Sequence, residues 1–249
     1  SFYPDNFGRI LGFANPEFEE YDPVYISIFL RSVRIALLTV VLTLLVCYPA
    51  AFHISRLSPK WKNFCIFLIT LPFFSSLIVR LFIWVLILRQ SGLVNQVLLA
   101  TGLIARPLEM IYTDGAIILG MVYVCIPFMF MPLYASVEKL DWRLVQASLD
   151  LGAGPIRTFL RIILPLTMPG IIGGSVIVFI PALGNFVVPT VLGGAKVMML
   201  GNLIEAQFLA ARNWPFGSAL AMMVMAVMLV LLVAYVFVSG RRGAAALAH

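Results

Sequence analysis

Residues Val24 to Ile54 read VYISIFLRSVRIALLTVVLTLLVCYPAAFHI, a stretch long and apolar enough to cross the hydrocarbon core of a bilayer as one helix, which takes about 20 residues. Four more stretches approach or exceed that length: Phe64 to Leu88, Thr113 to Tyr134, Leu166 to Pro189 and Pro215 to Val238. The composition agrees. Of 249 residues 62% are apolar and 11% charged, with a mean hydropathy of +1.03, whereas a soluble domain is near half apolar and a quarter charged. A water-soluble fold has nowhere to hide so much apolar surface, so the fold class is an all-α membrane protein with five visible transmembrane helices.

The formal net charge of +6 comes from 17 Lys and Arg spread among apolar runs, not gathered on one polar stretch. Lipid headgroups of the bilayer are therefore the expected anionic partner, and nucleic acid is not. Basic residues near span ends set the orientation. Arg56, Lys60 and Lys62 lie between the first two spans, Lys139, Arg143, Arg157 and Arg161 between the third and fourth, and Arg241 and Arg242 in the tail. These three segments share one side if the spans alternate. The other side holds fewer: Arg9, then Arg89 and Arg106, then Lys196 and Arg212. The first side is expected to be cytoplasmic, with the C-terminus inside. Residues 1–23 then form an outer, periplasmic segment, 24–239 the transmembrane domain with a cytoplasmic segment at 135–165, and 240–249 a cytoplasmic tail. Ser1 falls outside without a signal peptide, so a further helix is expected to precede it, making six spans.

Catalytic and metal chemistry lack their residues. Cys47, Cys65 and Cys125 lie in apolar stretches without a second Cys or a His at ligand spacing, and read as small buried hydrophobes. His53 is the one histidine before the terminal His249, no span interior holds Asp or Glu, and no GxxxxGK[ST] loop exists. No metal, cofactor or catalytic residue is expected. Gly170 and Gly174 give the small-xxx-small spacing of closely packed helices, and Gly115, Gly120 and Gly173 are expected to thin other faces. Prolines at 49, 72, 127, 165, 169, 181 and 189 fall within or at the ends of spans, where they bend helices or open turns. Arg80 is the charge best placed inside a span; pairing with Asp114, snorkelling to the outer surface or contact with an anionic group would each satisfy it.

The connection between the third and fourth spans reads ASVEKLDWRLVQASLDLGAGPIRTFLRIILPLTMPG from Ala135 to Gly170. Its centre, Val145 to Leu151, mixes apolar and polar residues before Gly152 and Gly154, which predicts a short surface helix. A second helix is expected from Pro155, with Arg157 and Arg161 one turn apart, before Pro165 and Pro169 bend the chain. Here the sequence resembles the permease subunits of ABC importers. Their signature is Glu-Ala-Ala, three residues, Gly, nine residues, then Ile-x-Leu-Pro, and this chain has Gln146, Ala147, Ser148, Gly152, Ile162, Leu164 and Pro165 at that spacing. It departs at Gln146 and Ser148.

That resemblance implies a type I ABC importer permease fold and a role for the short helix: docking in a groove of a cytoplasmic ATPase subunit and passing on its motion, with Leu149 beside the signature residues. Gln146 in place of Glu turns an ion pair into a neutral hydrogen bond, roughly half as strong. A closer resemblance, carried by MPLYASVEKLD, ASLDLGA, ILPLTMPGIIGGS, VFIPALGNF, VLGGAKVMMLGNLI and RNWPFGSA, is to the permeases of spermidine and putrescine importers. It implies a second, similar permease, two ATPase subunits holding ATP and Mg, and a periplasmic binding protein facing residues 1–23 and the segment from Val191 to Asn213. The protein would be a multi-pass component of the bacterial inner membrane.

Transporter sites lie at broken helices, so PALGNFVVP, Pro181 to Pro189, is the candidate pathway, with Asn185, Phe186 and Phe179 in it and Glu205 in the outer connection. In the polyamine permeases an acidic residue is common at the place of Asn185 or near Thr190, and both are neutral here. A polyamine is the expected solute; an amino-acid-like or organic-acid solute is the alternative within this architecture, and a stand-alone secondary transporter the alternative outside it.

Overall fold

The computed structural model describes residues 24–194 and 196–246. The expected outer segment 1–23, and residues 247–249 of the expected tail, lie outside the described residues. Within them every regular element is helical and no strand occurs. Hydrocarbon gives the backbone no water to bond, so a spanning segment closes its hydrogen bonds within itself. Four long helices follow: α1 (Val24–Ile54), a stretch Leu77–Ala100 made of α3 (Leu77–Leu88) and α4 (Leu93–Ala100), α5 (Asp114–Glu138) and α7 (Pro155–Gly184). By length and composition each can cross a membrane, and Trp214–Val230 is a shorter apolar helix within α10 (Trp214–Ala246). Shorter elements complete the chain: α2 (Pro59–Thr70), α6 (Trp142–Asp150), α8 (Val187–Gly193) and α9 (Leu200–Leu209).

Two expected spans have different bounds. Phe64 to Leu88 is not one helix. It breaks after Thr70 into a 3-10 turn, Leu71–Phe74, and α3 begins only at Leu77. Pro72 has no N–H to continue the ladder, and the Thr70 hydroxyl bonds back to the Ile66 and Phe67 carbonyls, 3.0 Å each. The apolar stretch of spanning length is shifted toward the C-terminus, to Leu77–Ala100. The fourth span starts earlier than Leu166 and ends at Gly184, before Pro189. Nor do Pro165 and Pro169 open a turn. A π-helical turn, Phe159–Ile163, precedes them, and the Leu164 N–H reaches back to the Phe159 carbonyl. Shifting the ladder by one residue removes the bond Pro165 has no hydrogen to make.

The chain forms two compact units. One takes the described residues up to Thr39, Phe73–Tyr123 and Phe179–Val230; its core includes Ile28, Ala36, Leu183, Leu200, Phe216 and Leu220, with the Tyr25 and Phe216 rings edge to face. The buried Ser32 hydroxyl accepts the Leu200 backbone N–H at 2.9 Å and donates to Ile28 at 2.8 Å. The other takes Val40–Pro72, Val124–Val178 and the described residues from Leu231. Here α5 and α7 come close. A Cβ on Gly170 would lie 2.6 Å from the Pro132 carbonyl oxygen, and one on Gly174 2.7 Å from Met129 Sδ. Gly120 similarly faces Leu192 and Val188 in the first unit, but Gly115 opens on space beyond the Thr113 hydroxyl and thins no contact. Large apolar side chains such as Leu45, Phe82, Leu86 and Met225 stay exposed, as lipid-facing surfaces require.

If this approach holds α5 on α7, Gly170→Leu and Gly174→Leu should each destabilise the purified protein by about 1–3 kcal/mol. Gly154→Ala, whose new methyl meets nothing within 4 Å, serves as the control. Detergent melting curves check this, with equal melting points across the three variants as the contrary result.

Candidate functional site

The short helix expected around Val145 to Leu151 is α6, Trp142–Asp150. Asp141 starts it, its Oδ1 accepting the Arg143 backbone N–H at 2.9 Å. Gly152 ends it at φ +78°, a left-handed conformation that favours glycine. The Ala153 N–H bonds the Ser148 carbonyl at 3.1 Å and the Gly152 N–H bonds Leu149 at 2.9 Å, the paired closure of a Schellman motif.

One face of α6 is pinned. Val145 is buried with Leu140 and Ile163, and Phe52, Trp142 and Phe159 pack around them. The Arg56 guanidinium lies 4.4 Å from the Phe52 ring centre and 4.3 Å from that of Trp142, so a cation at the end of α1 holds the first residue of α6 through its ring. Ser148 hydrogen-bonds Thr158 at 3.0 Å, tying α6 to the first turn of α7. The Tyr48 hydroxyl meets Thr167 at 2.9 Å and its ring meets Phe159, so α7 is tied to α1 as well. The other face is bare. Leu144, Gln146, Ala147 and Leu149 are exposed, Leu151 is 87% exposed and Ile156 75%. Of the signature residues, Gln146, Ala147 and Gly152 lie open on α6, Ser148 points into its seam with α7, and Ile162, Leu164 and Pro165 belong to the π turn and the turn after it.

The broken segment around Asn185 lies in the other unit. α7 stops at Gly184, and α8 starts at Val187 after Asn185 and Phe186. Asn185 Oδ1 accepts the Val188 backbone N–H at 2.9 Å, so its amide closes the exposed start of α8. Phe186 is exposed, and its carbonyl receives Asn202 Nδ2 at 3.1 Å. Phe179 packs against the core of that unit. Glu205, on α9, lines a cavity of ≈ 320 Å³ together with Thr190 and Asn202.

Arg80 does not pair with Asp114. Asp114 takes Arg31 at 2.7 Å and Arg34 at 3.5 Å; Arg80 stands over the Tyr123 ring at 5.8 Å, with its buried Nε unpartnered. Arg31 and Arg34 belong to the first apolar stretch and Asp114 opens α5, where a carboxylate also meets the positive end of the helix dipole. The cation that spacing in sequence brought forward was thus the wrong partner. Asn202 escaped the reading as well, and Arg56 entered it only as a charge that sets orientation, without its ring contacts. Asn202 lay within the quoted run VLGGAKVMMLGNLI, but only folding brings it beside Phe186 and Thr190.

The sequence matches, over residues 44–242, the family described as binding-protein-dependent transport system inner membrane component. It is 41% identical over 231 residues to the spermidine/putrescine transport system permease protein PotB of Escherichia coli K12, covering 93% of this chain and 80% of that protein. The PotB protein of Haemophilus influenzae is 41% identical over 215 residues, 86% of this chain and 75% of that one. An inner membrane ABC transporter permease protein of E. coli K12, YdcU, is 33% identical over 211 residues, 80% of this chain and 67% of that one. In fold the chain is similar to a chain of a bacterial ABC transporter involved in the import of the acidic polysaccharide alginate, with a TM-score of 0.65 and 20% identity, over 96% of this chain and 89% of that one.

The Asn185 cap predicts separable effects. Asn185→Asp keeps an acceptor for the Val188 N–H and should keep the melting point, whereas Asn185→Leu leaves that N–H unpaired and should cost about 1 kcal/mol. Equal melting points for the two variants would show that the cap contributes nothing.

Proposed function

The chain belongs to the binding-protein-dependent transport inner-membrane component family, and on that premise we propose that it pairs with a second, similar permease to carry a polyamine inward. Two ATPase subunits dock at its cytoplasmic side, hold the ATP and Mg, and perform all the hydrolysis. A periplasmic binding protein delivers the solute at the other side. The C-terminus is cytoplasmic. The cargo assignment rests on the 41% identity, over most of the chain, to permeases of spermidine/putrescine transport systems.

The observation that carries the coupling role is the two-sided character of α6. Its buried face is fixed to α1 by the Phe52 and Trp142 rings with the Arg56 guanidinium over both, and to α7 by Ser148 and Thr158. Its other face leaves Leu144 and Leu149 without cover, beside the exposed Leu151 that follows it and Ile156 at the start of α7. An exposed apolar patch beside polar Gln146 suits a protein groove. A push received there reaches two long helices at once, because the contacts behind α6 are packed rings and short hydrogen bonds that leave little slack. Gln146 contributes a neutral hydrogen bond to the dock, so apolar contact supplies more of the attachment.

Gly152 tests the role. Valine at φ +78° costs about 1–3 kcal/mol of backbone strain, and no neighbouring atom lies within 4 Å of the added Cβ to confuse the result. Gly152→Val should leave the protein in the membrane while abolishing putrescine uptake and solute-stimulated ATP hydrolysis by the assembled importer. Normal stimulated hydrolysis in that variant would remove the coupling role from α6.

A further inference from the structure

The cavity beside α8 and α9 has the chemistry of an amine site. Asn202 donates Nδ2 to the Thr190 hydroxyl at 2.7 Å and to the Phe186 carbonyl at 3.1 Å. A backbone carbonyl only accepts, so the amide cannot be turned round. Its Oδ1 is left buried with no partner. Buried acceptors are nearly always satisfied, and an orphan costs free energy. Glu205 lines the same cavity, and among the described residues it makes no ion pair. Two neighbouring side chains thus each leave an acceptor unmatched, one of them charged. A cationic donor is the group that would match the Glu205 carboxylate.

The rest of the lining narrows the class. Pro189, Val197 and Met198 supply apolar wall. A calcium-like ion takes about six to eight oxygens, which this lining does not offer. An ammonium carries three donors on a compact head, and its methylene stem suits apolar wall. The volume of ≈ 320 Å³ is at the small end for a ligand pocket, enough for one aminoalkyl end. We infer that Asn202 and Glu205, with Thr190 beside them, form a binding site for an alkylammonium group. This rests on the import reading. Two sources have that chemistry: an end of the transported amine, and a lysine of the binding protein.

The test uses the assembled importer with its binding protein in proteoliposomes, putrescine as the probe, and variant complexes matched for amount. With the cargo amine in the site, Glu205→Gln should raise the KM for putrescine about tenfold, the loss of one charge-assisted contact, at saturating binding protein. Glu205→Asp should keep most of the parental value. Because Thr190 lines the same cavity, adding Thr190→Asp to Glu205→Gln should restore a low KM, which a merely structural role for Glu205 does not predict. With a binding-protein lysine in the site, Glu205→Gln should instead raise the half-saturating concentration of binding protein and leave the KM at saturation unchanged. If neither quantity moves in Glu205→Gln, the site is overturned. A parent importer that takes up no putrescine overturns the cargo reading, and the half-saturating concentration of binding protein for ATP hydrolysis still decides the site.

Discussion

A backbone amide inside hydrocarbon has no water to bond, and this constraint fixes where the chain can stop being helical. At every break described above, particular groups take up the loose ends. After Thr70 a threonine hydroxyl returns to two carbonyls of its own helix. Before Pro165 the ladder steps to the π register, so that Leu164 bonds Phe159 and the chain stays helical through a proline. At Asn185 and Phe186 two asparagines take part, one accepting the freed N–H of Val188 and the other adding a donor to the Phe186 carbonyl, which already accepts from the Thr190 backbone and hydroxyl. A short helix with an uncapped start would be costly in an apolar surround. Asn185 answers that cost directly, as any side-chain acceptor of the same length would.

Charge follows the same logic, with rings as well as carboxylates. Asp114 neutralises Arg31 where α5 begins, and Lys62 meets Glu138 at 3.1 Å where α5 ends, with the Tyr134 hydroxyl donating to the same carboxylate oxygen at 2.8 Å. Both ends of that helix are therefore tied by an ion pair, although one exposed pair alone adds little. Arg56 has aromatic faces in place of a carboxylate. A guanidinium between two rings holds direction better than a flexible ammonium would, since it is planar and stacks. On the coupling role proposed above, that directional hold sits at the first residue of the helix that takes the load.

Much of this was legible in the sequence. The apolar runs announced the long helices, Gly152 the end of α6, Pro155 the start of α7, and the spacing from Gln146 to Pro165 the family. What escaped has a common cause. Hydropathy averaged over a window sees no difference between a straight run and one broken at Pro72, because Leu71 to Phe74 is as apolar as its neighbours. Partner choice escaped too. Arg80 and Asp114 looked suited, but Arg31 is 83 residues from Asp114 in sequence and 2.7 Å away in space. Long-range pairing is a property of packing, which periodicity does not encode. Asn202 was passed over because a neutral amide carries no signal until its neighbours are known.

An importer of cations must bind its cargo without keeping it. A carboxylate buried deep in the path would hold an amine by a low-dielectric attraction that hydrolysis must then overcome. On the reading proposed above, this chain avoids that trap by position. Its pathway break carries the neutral Asn185 and the exposed ring of Phe186, whose π face attracts an ammonium weakly and without fixed geometry. The carboxylate stands on α9, in a cavity with an apolar wall. With Glu205 as the one carboxylate in its lining, such a site pairs with one amine of a longer cargo at a time. Selection by affinity then belongs to the binding protein, and the permease needs only enough attraction to orient the incoming end.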